Sequence, residues 1–213
     1  MNYNRNQFIN DIYSGNNIEV FWFQYNQFCQ DLKNIEIETI IEINSVLIER
    51  VKKENQSTHR YYQNISDRCS KDVPFAKEVY LRFYNNESPE FQNALNYIIS
   101  GLFKIDNDLA IKKTKQLIKN PNTKKIIQGI YSIANFDFSQ NQNSSFLKYI
   151  DEEFRKLIKS NTLIDVLKAL LFASGKLYKY STKFDKHVNQ LKDLYEIEIK
   201  KQLIEFLYYD LDI

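Results

Sequence analysis

The sequence predicts an all-α protein, and its composition and its apolar periodicity both support that fold class. The chain has 213 residues but only 4 Gly and 3 Pro, and it contains no Asn-Gly pair. Folds built on tight β-turns depend on those residues. Long stretches instead repeat apolar residues at intervals of three and four, which is the helical period. We therefore expect a single all-α domain of about 8–10 helices, either a right-handed α-solenoid or an irregular multi-helix bundle.

The N-terminal part, residues 1–88, contains five predicted helices. Apolar residues recur at helical spacing in residues 4–13, 16–32 and 35–53. The third of these stretches has the clearest apolar face, made of Ile37, Ile40, Ile41, Leu47, Ile48 and Val51. A shorter helix is expected from Arg60 to Arg68. Pro74 then marks the start of another, because proline is favoured in the first helical turn.

The C-terminal part, residues 89–213, contains the more regular helices. The pattern predicts them at 91–104, 109–119, 126–134, 146–159 and 163–174, with one long or two shorter helices over 184–210. Asp106 or Asp108 is expected to cap the second of these, and Asn120-Pro121 to end it. Residues 163–174 are apolar on nearly every side, so we expect the most buried helix there, with Gly175 as its C-cap.

Two segments of this C-terminal part match when the chain is shifted along itself. At an offset of 40, residues 126–131 align with 166–171, and 117–119 with 157–159. A shorter offset of 32 aligns residues 94–100 with 126–132, so the loop at 135–144 is interpreted as an insertion. Helices alternating at this spacing resemble HEAT-type α-helical repeats. The resemblance covers about half of the chain and concerns architecture alone, because the Pro, Asp and Arg positions typical of HEAT repeats are mostly missing, apart from Pro121.

Charge is distributed unevenly along the chain. Residues 104–186 hold 16 Lys and Arg against 8 Asp and Glu, whereas the flanking parts are mildly acidic. Solvation explains many of these lysines, but a basic face also attracts nucleic-acid backbone or acidic proteins. The candidate binding residues are Lys112, Lys113, Lys115, Lys119, Lys124, Lys125, Arg155, Lys156 and Lys159, together with Phe136 and Phe138 of the inserted loop.

Sequence motifs for catalysis, cofactors and metals are missing. Neither a dinucleotide-binding nor a phosphate-binding glycine motif occurs, and no Cys or His spacing is typical of a zinc site. His59 and His187 are both expected on the surface. Carboxylates such as Glu38, Glu42 and Asp151 are expected to be solvated, because the first two oppose the apolar stripe of their helix. We therefore predict no catalytic residue, no cofactor and no metal.

The sequence favours a cytoplasmic, non-enzymatic protein-interaction module, scaffold or subunit. No signal segment and no apolar run of membrane-spanning length is present, and the two cysteines, Cys29 and Cys69, are expected to be reduced. One alternative is sequence-tolerant nucleic-acid binding through the basic face of residues 104–186, and another is a small all-α enzyme. Neither the partner nor the oligomeric state follows from the sequence. The apolar C-terminus, residues 206–213, is expected to dock on the body or on a partner.

Overall fold

The computed structural model describes residues 59–87, 89–139, 144–160 and 163–209, and six positions nearer the N-terminus (Asn10, Thr39, Glu42, Ile43, Ser45 and Val46). Within these residues the chain forms helices and no strand, which confirms the all-α prediction. The helices predicted at 4–13 and 16–32 lie outside the described residues, apart from Asn10. So does most of the helix at 35–53, of which Ile43 is completely buried although the predicted stripe omitted it.

Eight helices follow one another in the described part of the chain. They are α1 (His59–Cys69), α2 (Val73–Asn85), α3 (Pro89–Phe103), α4 (Asn107–Ile118), α5 (Thr123–Ala134), α6 (Ser144–Ser160), α7 (Ile164–Leu177) and α8 (Lys183–Tyr209). They belong to two compact units, residues 1–110 and 111–213, and the division falls within α4. None of the described helices has the length and apolar composition needed to cross a bilayer.

In the first unit, α3 packs against both α1 and α2. Gly101 makes the α1 contact close, because a Cβ atom there would overlap the carbonyl oxygen of Ser66 and lie 2.8 Å from the Cβ of Cys69. Phe83 of α2 and Phe91 of α3 meet edge to face, with ring centroids 4.8 Å apart. Aromatic and aliphatic burial between three helices therefore builds this core.

Side chains cap both ends of α2. The carboxylate of Asp72 accepts a hydrogen bond from the backbone N–H of Phe75 at 2.9 Å, which satisfies one of the free donors of the first turn. At the other end, Nε2 of Gln92 donates to the carbonyl of Phe83 at 3.0 Å and also to that of Asn86. Because Gln92 belongs to α3, this amide fixes the turn between the two helices.

In the second unit, α7 is the central helix. It packs against α5 on one side and α8 on the other, and α6 contacts both α7 and α8. Its buried residues are Val166, Leu167, Ala169, Leu170, Ala173, Ser174 and Leu177. Gly129 lets α5 come close to α4, since a Cβ atom there would lie 2.9 Å from Cγ1 of Ile118.

Helix ends agree with the sequence at some positions and differ at others. Asp106 is the residue that caps α4, and it accepts from the N–H of Leu109 at 3.0 Å. The predicted C-cap at Gly175 is wrong, because the backbone stays helical to Leu177 and the N–H of Tyr178 donates to Ser174 at 3.0 Å. Gly175 is thus an exposed residue inside α7.

Candidate functional site

The predicted binding residues that the second unit contains differ widely in exposure. Six are exposed, three are half-buried and two are buried. The exposed ones are Lys112, Lys119, Lys124, Arg155, Lys156 and Lys159, the half-buried ones are Lys113, Lys115 and Lys125, and the buried ones are Phe136 and Phe138. The basic side chains therefore reach solvent, whereas the two phenylalanines of the loop do not.

Lysines of α4 contact aromatic rings of α6. The Nζ atom of Lys115 lies 4.6 Å from the ring centroid of Tyr149 and 5.8 Å from that of Phe146. Lys119 lies 5.9 Å from the Tyr149 centroid. The two rings stack, with centroids 6.0 Å apart and planes 12° from parallel. In these four residues, which we call the lysine–tyrosine platform, cation–π attraction holds two ammonium groups close to the same tyrosine ring.

Tyr149 is the centre of this platform and has an unusual environment. Its hydroxyl is buried and has no hydrogen-bond partner among the described residues. Burial, followed by the negative charge of Glu153, raises the pKa of Tyr149 to about 12. The phenol therefore stays neutral at physiological pH, and its ring face, rather than its hydroxyl, interacts with the lysines.

The inserted loop meets the platform from its buried side. Phe136 and Phe138 are each 4% exposed, and their rings lie 6.3 and 6.2 Å from that of Phe146. Asp137 between them is exposed, and it accepts hydrogen bonds from the N–H of Ser139 at 2.9 Å and from the hydroxyl of Tyr180 at 3.2 Å. As packed, the two phenylalanines support the platform and do not themselves face a ligand.

The basic residues of α6 are engaged with acids of the same helix. Arg155 donates from Nη2 to Asp151 at 2.6 Å, and Lys156 donates to Glu153 at 2.8 Å. The hydrogen bond from Lys156 to Glu153 raises the pKa of Lys156. Lys159 is exposed one turn further along. These pairs reduce the positive potential of α6 relative to that of α4.

A second surface lies on the outer face of α7, where the sequence predicted burial. Phe172 is 46% exposed, although the sequence analysis expected this helix to be the most buried one. Its ring meets that of Tyr131 on α5 edge to face at 5.8 Å, and Nζ of Lys176 lies 5.7 Å from its centroid. Lys168, one turn before Phe172, lies 3.9 Å from Asp165. We call Lys168, Phe172 and Lys176 the α7 ridge.

Tyr131 connects the α7 ridge to α5. It is half-buried, and burial together with the nearby charge of Asp165 raises its pKa. Lys124 is exposed two turns earlier on α5, and Ile127 is half-buried one turn earlier. By helical periodicity these residues share one face, so the exposed surface beside Phe172 combines aromatic, aliphatic and basic groups.

His187 and Asp151 form a buried pair that the sequence analysis placed on the surface. Nε2 of His187 lies 2.7 Å from Oδ1 of Asp151, and each side chain is 4% exposed. The helical periodicity of the sequence indicates burial at both positions. Asp151 falls at the helical spacing of Phe154 and Ile158, and His187 falls between Phe184 and Leu191 in the same way. As packed, neither side chain reaches solvent.

Neither a metal-binding cluster nor a related protein indicates the function of this chain. In the described part of the chain, no group of three or more His, Cys, Asp and Glu side chains is arranged to hold a metal ion. Comparison with known proteins gives no match to a family model, to a curated protein or to a solved structure. Function is therefore inferred from the geometry of the surfaces described above.

Proposed function

We propose that this chain is a non-enzymatic interaction module whose second unit binds an acidic partner protein. The observation that carries the proposal is Phe172, which is 46% exposed on the outer face of α7 with Lys176 over its ring. Aromatic side chains are enriched at the centres of protein interfaces, where their burial contributes most of the binding energy. An exposed aromatic ring amid lysines suits an acidic protein surface.

The charge of the second unit supports this choice of partner. Exposed lysines lie on α4, α5, α6 and α7, within a segment that holds twice as many basic as acidic residues. Such a field speeds association with an acidic partner and suppresses association with a basic one. Binding should therefore weaken as salt concentration rises.

Helix packing supports the HEAT-like arrangement as part of the same proposal. The predicted repeats correspond to α4 with α5 and to α6 with α7. In them, α5 packs on α7, and Lys115 of α4 reaches Tyr149 of α6. Contacts between equivalent helices are what stacked repeats require, and stacked repeats often serve as binding surfaces.

Nucleic-acid binding is the second candidate, and the lysine–tyrosine platform is the observation that favours it. Lys115 and Lys119 both lie close to the ring of Tyr149, and Lys112 is exposed one turn earlier. Aligned ammonium groups can neutralise successive backbone phosphates without reading sequence. Nucleic-acid binding depends on residues of α4 and α6, whereas binding of an acidic protein depends on Phe172.

One experiment separates the two candidates. The full chain and two variants, Phe172→Ala and Lys115→Glu/Lys119→Glu, are used for affinity capture with quantitative mass spectrometry and for mobility shifts with DNA and RNA at about 50 mM salt. Capture of an acidic protein that is lost with Phe172→Ala supports the first candidate. A shift lost only with the α4 variant supports the second. Capture and shifts that neither variant changes would reject both.

A further inference from the structure

The α7 ridge has a regular spacing that a partner can match. Lys168, Phe172 and Lys176 follow one another at four-residue intervals and all three are exposed. At a rise of 1.5 Å per residue, successive members are about 6 Å apart along the axis, and the two lysines are about 12 Å apart. The ridge thus presents positive, aromatic and positive groups in one line.

The centre of the ridge is partly pre-formed. Phe172 is held edge to face against Tyr131 at 5.8 Å with an interplanar angle of 68°. Tyr131 is half-buried, and Ile127 one turn earlier on α5 is also half-buried. An apolar side chain placed beside Phe172 would therefore contact α5 as well as α7. Little conformational entropy is lost on binding when the receiving side chains are already packed.

The two lysines are available to opposite charges. Lys176 interacts with the ring of Phe172 at 5.7 Å. Lys168 is paired with Asp165 at 3.9 Å, but the Lys168 and Asp165 side chains are 50% and 74% exposed, so that pair is weak. Both ammonium groups can turn toward a carboxylate on a docked partner without leaving a buried charge behind.

We propose that the α7 ridge binds an acidic amphipathic helix of another protein, with an apolar residue against Phe172 and an acidic residue four positions away on each side. The proposal rests on the proposed function and names the kind of partner. Charge complementarity and spacing carry it, because a helix lying along α7 repeats the same four-residue interval and sets its two acids against Lys168 and Lys176.

A nucleic acid suits this ridge less well. The ring of Phe172 already has Lys176 over it and Tyr131 against it, so a base would find less free ring surface for stacking. These features favour a protein helix.

Synthetic peptides of about 15 residues test the proposal directly, with side-chain links that hold them helical. The first carries Glu, Leu and Glu at the ridge spacing, the second Lys, Leu and Lys, and the third Glu, Ala and Glu. Binding of each to the full chain is measured by fluorescence anisotropy at about 50 and 200 mM salt. We expect the first peptide to bind at least about tenfold more tightly than either of the others.

Variants of the ridge give the decisive comparison. Phe172→Ala should weaken binding of the first peptide about tenfold or more. Lys168→Glu/Lys176→Glu should abolish it and transfer the preference to the second peptide. Ile197→Ala is the matched control, since Ile197 is 50% exposed on α8 and lies outside the ridge. Because Phe172 is an exposed side chain, its variant should melt within a few degrees of wild type, which circular dichroism checks.

Equal affinity for the first two peptides, or no effect of Phe172→Ala, would overturn the helix proposal. Full competition by single-stranded DNA that needs Phe172 would assign the ridge to nucleic acid and overturn it too. If no peptide binds but affinity capture recovers an acidic protein that Phe172→Ala loses, the proposed function stands and the helical partner is rejected. If no peptide binds and affinity capture recovers no acidic protein that Phe172→Ala loses, both the helical partner and the proposed function are rejected.

Discussion

Nε2 of His187 lies 2.7 Å from Oδ1 of Asp151, so a buried polar pair joins α8 to α6. Each side chain is 4% exposed, and Arg155, more than half exposed, donates to the second carboxylate oxygen at 2.6 Å. The rings of Phe154 and Phe184 meet in the same helix contact. A carboxylate removed from water is stable only when its oxygens are paired. Both oxygens of Asp151 are paired here, so the pair orients α8 within an otherwise apolar contact.

Removal of the imidazole should be costly. We expect His187→Ala to lower the free energy of unfolding by about 3 kcal/mol or more, because it leaves one oxygen of a buried carboxylate unpaired and opens a cavity beside Phe184. Urea denaturation followed by circular dichroism measures the change. The exposed neighbour Asp185 supplies a control, and Asp185→Ala should change stability by less than about 0.5 kcal/mol.

A double variant tests whether pairing is the cause. Asp151→Leu combined with His187→Leu removes both polar groups and keeps the volume, so it should be more stable than His187→Ala alone. Arg155 would then turn into solvent, where more than half of it already lies. A double variant less stable than His187→Ala would show that the unpaired carboxylate is not the cause of that loss. A His187→Ala variant as stable as the control would show that the pair does not stabilise the fold.

The sequence predicted where helices lie better than it predicted which face each one buries. Caps and helix ends depend on residues within a few positions, which is why Asp106 and the Asn120-Pro121 break were found at the right places. Exposure of Phe172 depends instead on the positions of α5 and α8 around α7. A helix that is apolar on nearly every side carries no periodic signal to indicate which side faces solvent.

The candidate site was also predictable only where it depends on residues close together in the sequence. Exposed lysines on α4 followed from their position opposite an apolar stripe. Their contact with Tyr149 joins α4 to α6, two helices separated by more than 20 residues, and no local pattern encodes it. Phe136 and Phe138 lie in a loop of turn-forming residues, but burial against Phe146 is a tertiary contact that the loop composition conceals.

Two helical glycines should respond in opposite directions to an added methyl group. Gly101→Ala should lower the free energy of unfolding by about 3 kcal/mol, since its Cβ atom would overlap the backbone of Ser66, which cannot move aside easily. Gly175→Ala should raise it by about 1 kcal/mol, because Gly175 is exposed in α7 with nothing within 4 Å and alanine is the better helix former.

Thermal unfolding of the two variants measures both effects, at about 2–4 °C per kcal/mol for a chain of this size. Gly129→Ala should be intermediate, because the nearest atom to its added Cβ, at 2.9 Å, belongs to the side chain of Ile118, which has some freedom to shift. A destabilised Gly175→Ala variant would contradict the helical conformation of Gly175 and would support its predicted role as a helix C-cap.

The pKa of Asp137 should be lower than that of an ordinary aspartate. Hydrogen bonds from the side chain and the backbone N–H of Ser139, then from Tyr180, lower its pKa from the ordinary 3.8. The folded state therefore favours the carboxylate. Its contribution to stability is present above that ordinary pKa and is lost as pH falls through the lowered native value.

Carboxyl carbon chemical shifts followed from about pH 6 to pH 2 give the native pKa of Asp137. Ser139→Ala should raise that pKa more than Tyr180→Phe does, because the Ser139 side chain is the larger cause. The critical result is which of the two variants raises the pKa of Asp137 more. A larger rise with Tyr180→Phe would place the main stabilisation of the carboxylate on the α7–α8 turn instead of within the loop.

Cys69 should be chemically protected in the native protein. It is a free thiol with 0% exposure, and burial, followed by the charge of Asp72, raises its pKa well above the ordinary value. The thiolate is the form that attacks a disulfide reagent, so both low exposure and a small thiolate fraction slow the reaction. In a Cys29→Ser background, we expect labelling of Cys69 at least about a hundredfold slower in buffer than in urea.

An exposed cysteine two residues away provides the matched control. Lys71 is exposed, so Lys71→Cys with Cys69→Ser, in the same Cys29→Ser background, should be labelled rapidly without denaturant. Raising the pH to about 9 should accelerate labelling of the control by increasing its thiolate fraction. Labelling of Cys69 at the control rate in the absence of denaturant would contradict the close packing at Gly101.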